Sequence, residues 1–396
     1  MNSLKPMLLT SLKSYNRSQF IKDVTAGIIV AIIALPLSIA LALASGVGPE
    51  AGIFTAIVAG FVISALGGSS VQIAGPTAAF ATIVAGIVAK DGMDGLVIAT
   101  ILAGIFLVLM GLCHFGSLIK FIPFTITTGF TSGIAVTIVI GQLKDFFGLT
   151  YPDGVKPIET TEKFRAVVEN FSTINIDALI VGSVSLAVLI IAPYIFKRIP
   201  GSLIAVIIGI LMVQFLPLKV STIGNLYTIS NSLPSFHLPA VSLEVVQNAL
   251  PNAFTIAVLA AIESLLSCVV ADGMINGKHR SDMELVAQGA GNIASALFGG
   301  IPATGAIART AANIKNGGRT PIAGIVHSIT LVIVLVVLMP YAGMIPMPTI
   351  AAILFIVAYN MCQWRTFLQL VKTAPKSDIL VLVVTFVLTV LFDLVV

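Results

Sequence analysis

Two short stretches of the chain carry residues suited to holding an anion. One is Gly75-Pro76-Thr77-Ala78-Ala79-Phe80, the other Gly305-Ala306-Ile307-Ala308-Arg309-Thr310. Each follows a glycine pair, Gly67-Gly68 or Gly299-Gly300, and each lies between long apolar runs. Each opens a helix-competent segment of about a dozen residues, too short to cross a bilayer at about 1.5 Å per residue. A helix N-terminus presents unpaired N–H groups and a partial charge of about +0.5. Two such ends aimed at one mid-membrane point would hold an anion without any basic side chain. Thr77 and Thr304 add hydroxyl donors, and Gln72 stands just upstream, within reach of the cavity. The competing reading is a Gly-Pro that merely kinks a structural helix; two such stretches in matching positions weigh against it.

Two charges lie well inside apolar segments, and such charges mark function by default because they are expensive there. Arg309 falls one turn into the second short segment, where it would add positive potential to the cavity. Its alternative is a helix-end arginine reaching back to the aqueous face. Glu263 sits mid-segment in AAIESLLS. An acid beside an anion site suits proton coupling, since taking up a proton removes a repulsive charge as substrate binds. Two alternatives stand: a cation held between Glu263 and Ser267, or a structural pairing of Glu263 with Arg309. Asn313, His114 and His327 have weaker claims, and Gly277-Lys278-His279-Arg280 reads as a solvated turn. No catalytic dyad, phosphate-binding loop or metal-ligand cluster is visible, so no enzyme and no cofactor is expected. Cys113, Cys268 and Cys362 form no CxxC and no disulfide framework.

The composition dictates what must position these residues. The chain is 57% hydrophobic and only 10% charged, with mean hydropathy +1.07. Soluble domains carry about 25% charged residues, so this is a polytopic membrane protein in a lipid bilayer. The net charge of +4 reflects span ends, not nucleic-acid affinity. The apolar runs predict helices at 24–44, 50–66, 76–89, 95–112, 123–143, 176–196, 201–217, 246–271, 284–298, 305–315, 321–340, 348–363 and 378–396. The polar stretches 144–175 and 218–243 read as loops on one membrane face. With the N-terminus placed in the cytoplasm of a plasma (inner) membrane, fourteen lysines and arginines fall on the cytoplasmic side and six outside, which supports that orientation.

The chain also repeats itself at an offset of about 230 residues. Ala34–Gly46 aligns on Ala261–Gly273, Ser64-Ala65-Leu66 on Ser295-Ala296-Leu297, and Gly75 on Gly305. Seven segments separate equivalent points, so the copies face opposite ways, as an inverted repeat. The resulting division is an N-terminal cytoplasmic segment 1–22, a first repeat 23–217, an outer loop 218–243 and a second repeat 244–396. Two seven-span halves need fourteen segments. The sequence stops at Val396 after the thirteenth, so the last span and any cytoplasmic domain are expected to be missing.

Four stretches closely resemble the sulfate permease (solute carrier 26) family: LPLSIALALASGVGPEAGIFTAIVAG at 35–60, QIAGPTAAF at 72–80, ESLLSCVVADG at 263–273 and GGIPATGAIARTAANIKNGGRTP at 299–321. The resemblance implies an all-α, seven-plus-seven inverted-repeat transporter with core and gate domains, two half-helices preceded by short extended stretches, and a homodimer. It maps the family's substrate site to Gln72, Thr77 and Phe80, and to Gly305, Ala306 and Ile307 with Arg309 adjacent. It places the coupling position at Glu263. Sodium-using bicarbonate members have Asp there with Thr one turn on; Glu and Ser here lean toward H+ and leave Na+ as the alternative. The expected activity is secondary active transport of an inorganic or small carboxylate anion, with sulfate, bicarbonate and dicarboxylates as rivals. An uncoupled anion channel and a nucleobase permease are the competing readings.

Overall fold

The computed structural model describes residues 4–117, 123–152, 154–155, 157–196, 199–239 and 243–391. Lys120, Lys156, Lys197 and Arg198, counted above toward orientation, lie outside these residues, as does 392–396 of the last expected helix. The elements run α1 (Met7–Ser11), α2 (Arg17–Ala44), α3 (Pro49–Leu66), β1 (Ala74–Gly75), α4 (Ala81–Leu112), α5 (Phe124–Phe147), α6 (Thr160–Glu169), α7 (Ile176–Ile195), α8 (Gly201–Phe215), α9 (Ile223–Leu226), α10 (Leu243–Ile275), α11 (Ser281–Leu297), β2 (Thr304–Gly305), α12 (Ile307–Lys315), α13 (Ile322–Ala342), α14 (Met347–Cys362), α15 (Trp364–Thr373) and α16 (Lys376–Leu391). Eight helices among the described residues are long and apolar enough to cross a membrane.

Local chemistry sets the boundaries. The Asn16 side chain accepts from the Gln19 amide and caps α2, Pro49 opens α3, and Asn175 caps α7. Gly92, at φ 70°, breaks α4, so the helix following β1 ends near Asp91 and a separate span follows. The expected start of that short helix at residue 76 shifts to a 3-10 turn at Ala78–Phe80. Pro76 has no N–H, and Thr77 stays extended at φ −127°, ψ 159°. The second short helix likewise begins at Ile307 rather than 305, because Gly305 is spent in β2. The polar stretch 144–175 also contains α6, opened by a reciprocal Glu159/Glu162 capping box.

The helices pack in two groups. In one, α2, α3, α4, α10, α11, α12 and α13 contact one another; in the other, α5, α7, α8, α14 and α16 do. Contacts between them run mainly from α2 to α8 and α14. Within the first group α4 and α11 approach so closely that a Cβ at Gly104 or Gly289 would overlap the other's carbonyl. Lipid gives helices no hydrophobic reason to associate, and small residues admit the close packing that does.

The start of α2 is tied to the loop after α12 by one fully buried carboxylate. Asp23 Oδ2 accepts from Tyr15 Oη at 3.0 Å and Thr320 Oγ1 at 2.6 Å, and Oδ1 from Gln19 Nε2 and the Arg319 amide at 2.9 Å each. Burial and then the Asp23 charge push the Tyr15 hydroxyl up to about 12, from 10.0 when free. The stability this neutral hydroxyl gives is complete below about pH 10 and lost as pH rises toward 12. Tyr15→Phe is expected to flatten that alkaline limb in melting curves of the solubilised protein. An alkaline limb as steep as that of the parent would mean Tyr15 ionises without consequence.

Candidate functional site

The two expected half-helix starts meet. β1 and β2 pair antiparallel, with Ala74 opposite Gly305 and Gly75 opposite Thr304. The offset that brings Gly75 onto Gly305 exchanges these two pairs, so the repeat axis passes through the strand pair itself. The chains then leave in opposite directions, through Thr77 into the turn at Ala78–Phe80 and through Ala306 into α12.

Extended backbone inside a bilayer must find every partner within the protein. Polar side chains from the surrounding helices supply them. Asn292 brackets Ala303, accepting from its amide and donating to its carbonyl at 2.8 Å each. The Ile301 amide donates to Thr55 Oγ1, the Gly305 amide to Ser264 Oγ, the Ile73 amide to Thr310 Oγ1 and the Ala306 amide to the Ile73 carbonyl. On the first side the buried Glu284 carboxylate accepts from the Gly68 and Ser69 amides at 2.9 and 3.1 Å, and Asn313 Nδ2 donates to the Val71 carbonyl.

Arg309 is 1% exposed and lies across β1. A Cβ at Gly75 would overlap its guanidinium, so any larger residue there would displace the arginine. Nη2 donates to the Pro76 carbonyl at 3.1 Å and to Ser38 Oγ at 3.5 Å, while Nε and Nη1 have no partner among the described residues. Its charge is met by no carboxylate: among the described residues neither Glu263 nor any other acid forms an ion pair with it. The structural Glu263–Arg309 pairing is thus not realised. Glu263, half-buried on α10, instead accepts from Thr77 Oγ1 at 3.0 Å, across the mouth of the first half-helix. His327 on α13 is fully buried, and neither ring nitrogen has a partner among the described residues.

The other anticipated residues divide by exposure. Ile307 is 43% exposed, Ala306 and Thr77 are half-buried, and all three border the crossing. Phe80 is 1% exposed and packs in the apolar cluster with Ile83, Leu96 and Ile256. Thr304 is fully buried, its hydroxyl 2.6 Å from Ser264 Oγ and donating to the Ala260 carbonyl. Gln72 packs against Gly305, and both ends of its amide are engaged: Nε2 donates to Glu284 at 2.6 Å and Oε1 accepts from Cys268 Sγ. Ser267 donates to Thr310 at 3.5 Å and not toward Glu263. Asn313 braces Val71, and His114 pairs with Asp282. Sequence reasoning passed over Glu284, Asn292 and Ser264. The i, i+4 pair Glu284–Gln288, linked at 2.9 Å, and the placement of Asn292 in an apolar run were the available signals.

The candidate site therefore lies where the two half-helix starts meet, with Thr77 and Glu263 at its edge. Its backbone amides come from two opposed helix starts, its hydroxyl from Thr77, its carboxyl from Glu263, and its positive charge from the buried Arg309. Residues 20–385 match the sulfate permease family. The candidate sulfate transporter YvdB of Bacillus subtilis is 43% identical over 390 residues, 97% of this chain and 72% of that protein. The bicarbonate transporter BicA of Picosynechococcus is 33% identical over 385 residues, 94% of this chain and 67% of that protein. The solved transmembrane domain of a cyanobacterial BicA has the same fold, with TM-score 0.86 and 29% identity over 96% of this chain and 98% of that one. That likeness bears out the all-α, inverted-repeat transporter architecture, with its two half-helices, expected from the sequence. A family match spanning nearly the whole chain, on this fold, makes the protein a multi-pass anion transporter of the sulfate permease family.

Proposed function

We propose that the chain is a secondary active transporter that moves a small oxyanion together with a proton by alternating access. The candidate substrates are sulfate and bicarbonate, for which relatives are named, and dicarboxylates. The observation that carries the reading is the 3.0 Å hydrogen bond from Thr77 to Glu263. It sets a protonatable carboxyl beside the opposed helix starts that would hold the anion. Arg309, with two unpartnered N–H-bearing nitrogens, would supply the charge that draws the anion in. Thr77, Ala306 and Ile307 would line the bound anion, and Gln72, Thr304, Gly305 and Phe80 would hold the mouth in shape. Protons are favoured over sodium because Ser267, the second ligand a cation would need, is turned to Thr310. The protein is proposed to work as a homodimer in the plasma (inner) membrane with its N-terminus in the cytoplasm, with no cofactor and no enzymatic activity.

Uptake of labelled sulfate, bicarbonate and fumarate by proteoliposomes would test this. Accumulation of at least one anion is expected under an inward proton gradient at zero sodium. Accumulation that follows sodium and ignores pH would replace the proton with a cation. Flux that never exceeds equilibrium under either gradient would leave an uncoupled channel.

A further inference from the structure

The hydroxyl that joins the two halves of the proposed machinery has only one hydrogen to give, and that limit suggests how coupling works. Thr77 occupies the N-cap position of the turn at Ala78–Phe80, yet its side chain makes no capping hydrogen bond. Threonines at such positions ordinarily accept from an amide of the first turn. Here Oγ1 faces Glu263 Oε2 at 3.0 Å instead, with the side chain half-buried at the mouth. The other threonine hydroxyls of the crossing are buried away from the mouth: Thr304 bonds Ser264 and donates to the Ala260 carbonyl, and Thr310 accepts from the Ile73 amide and from Ser267.

An ionised carboxylate only accepts, whereas a protonated one carries an O–H donor. While Glu263 is charged, the single Thr77 hydrogen is held by Oε2 and is withheld from an incoming anion. Once Glu263 binds a proton from the aqueous side, its new O–H can donate to Thr77 Oγ1. The Thr77 hydrogen then rotates toward the mouth. No bond to Thr77 breaks, and the one proton gained stays on the Glu263 carboxyl until it is released to water. Charged residues on the elements around α10 do not intervene. Arg309 on α12, Asp282 and Glu284 on α11, Lys90, Asp91 and Asp94 on α4, and Glu244 and Asp272 on α10 itself form no hydrogen bond or ion pair with Glu263 among the described residues. Glu263 thus meets its surroundings through Thr77.

We propose that Thr77 is the coupling switch of this site: its hydroxyl donates to Glu263 in the deprotonated state and to the anion in the protonated state, so that proton and anion bind together. This rests on the proton-coupled reading above. Sulfate binding to the purified full chain, measured by calorimetry over about three pH units, tests it. Wild-type affinity is expected to rise about tenfold per pH unit on acidification while Glu263 titrates. Thr77→Val, which keeps the shape and removes the hydrogen, should bind weakly and without pH dependence. Its infrared spectrum should still show the protonated-carboxyl band that Glu263→Gln lacks. Thr77→Ser should restore the slope. Glu263→Gln, whose amide N–H donates permanently to Thr77, should bind sulfate at the wild-type low-pH affinity at every pH. A wild-type slope retained in Thr77→Val would overturn the switch and leave Glu263 acting on the anion by charge alone. Wild-type binding of none of sulfate, bicarbonate and fumarate, or binding indifferent to pH, would instead remove the proton-coupled reading, and the switch with it.

Discussion

Glu263→Gln is expected to abolish accumulation driven by a proton gradient while leaving exchange of labelled anion across the membrane intact. Glutamine keeps the length and the hydrogen-bonding partner of the side chain, so Thr77 remains engaged and the mouth keeps its form. What is lost is a group that can bind and release a proton. A gradient of one pH unit is worth about 1.4 kcal/mol per proton, enough for roughly tenfold accumulation of an anion carried with one net proton. In proteoliposomes held at one pH unit inward, the wild type should approach that ratio and the variant should stay at unity. Continued accumulation by Glu263→Gln would move the coupling group elsewhere, with the buried Glu284, which accepts from Gln72, the next carboxyl to test.

Arg309 should show opposite effects on binding and on stability. Two helix ends contribute about 0.3–1 kcal/mol each when exposed and up to about 2 when partly buried, which alone makes a weak anion site. A full charge beneath the strand crossing is therefore expected to carry much of the affinity. Arg309→Ala should weaken sulfate binding by about 10- to 100-fold, or about 1.4–2.8 kcal/mol, and bicarbonate binding by less, because a dianion feels the lost charge more. Arg309→Lys should recover part of this, keeping the charge without the planar fork. The guanidinium is, however, buried, and among the described residues Nε and Nη1 have no protein hydrogen-bond partner and no carboxylate pairs with it. Relieving that cost should stabilise the apo state, so Arg309→Met, which fills similar space, is expected to melt higher than wild type without anion. Undiminished sulfate affinity in Arg309→Ala would reduce the arginine to an anchor for α12.

The parts of this site that were legible from sequence are those with a long-range signature. Apolar runs too short to span, preceded by glycine pairs and repeated in register, announced the half-helices. Arg309 and Glu263 stood out because charge is rare in such runs. What was hidden depends on tertiary partners. A two-residue strand has no periodicity to read, so the β1–β2 pairing was invisible although the approach of the two ends was not. Gln72 looked free to reach the cavity, because nothing in its neighbourhood reveals that Glu284 arrives from more than two hundred residues away to take its amide. Glu284 itself resembled an ordinary acid at a helix start. The short helices α6 and α15 were obscured differently. Their amphipathic patterns, such as Phe367, Leu368 and Val371 set among Arg365 and Lys372, end or interrupt apolar runs and so read as loops.

The strand pair also has a consequence for how the chain is made. β1 is complete once residue 75 is synthesised, but its partner is about 230 residues further on. At roughly 5–20 residues per second the ribosome needs on the order of ten to fifty seconds to deliver it. During that interval the stretch 69–77 has no Asn313 or Thr310, no Glu284 and no β2. Its backbone groups must be met by water or by the insertion machinery, since bare amides cannot rest in lipid. The first half is then a waiting intermediate that carries extended backbone with its partners not yet made. Nascent chains arrested before residue 304 should accordingly be far more sensitive to membrane quality-control proteases than chains arrested after residue 315, at nearly equal length.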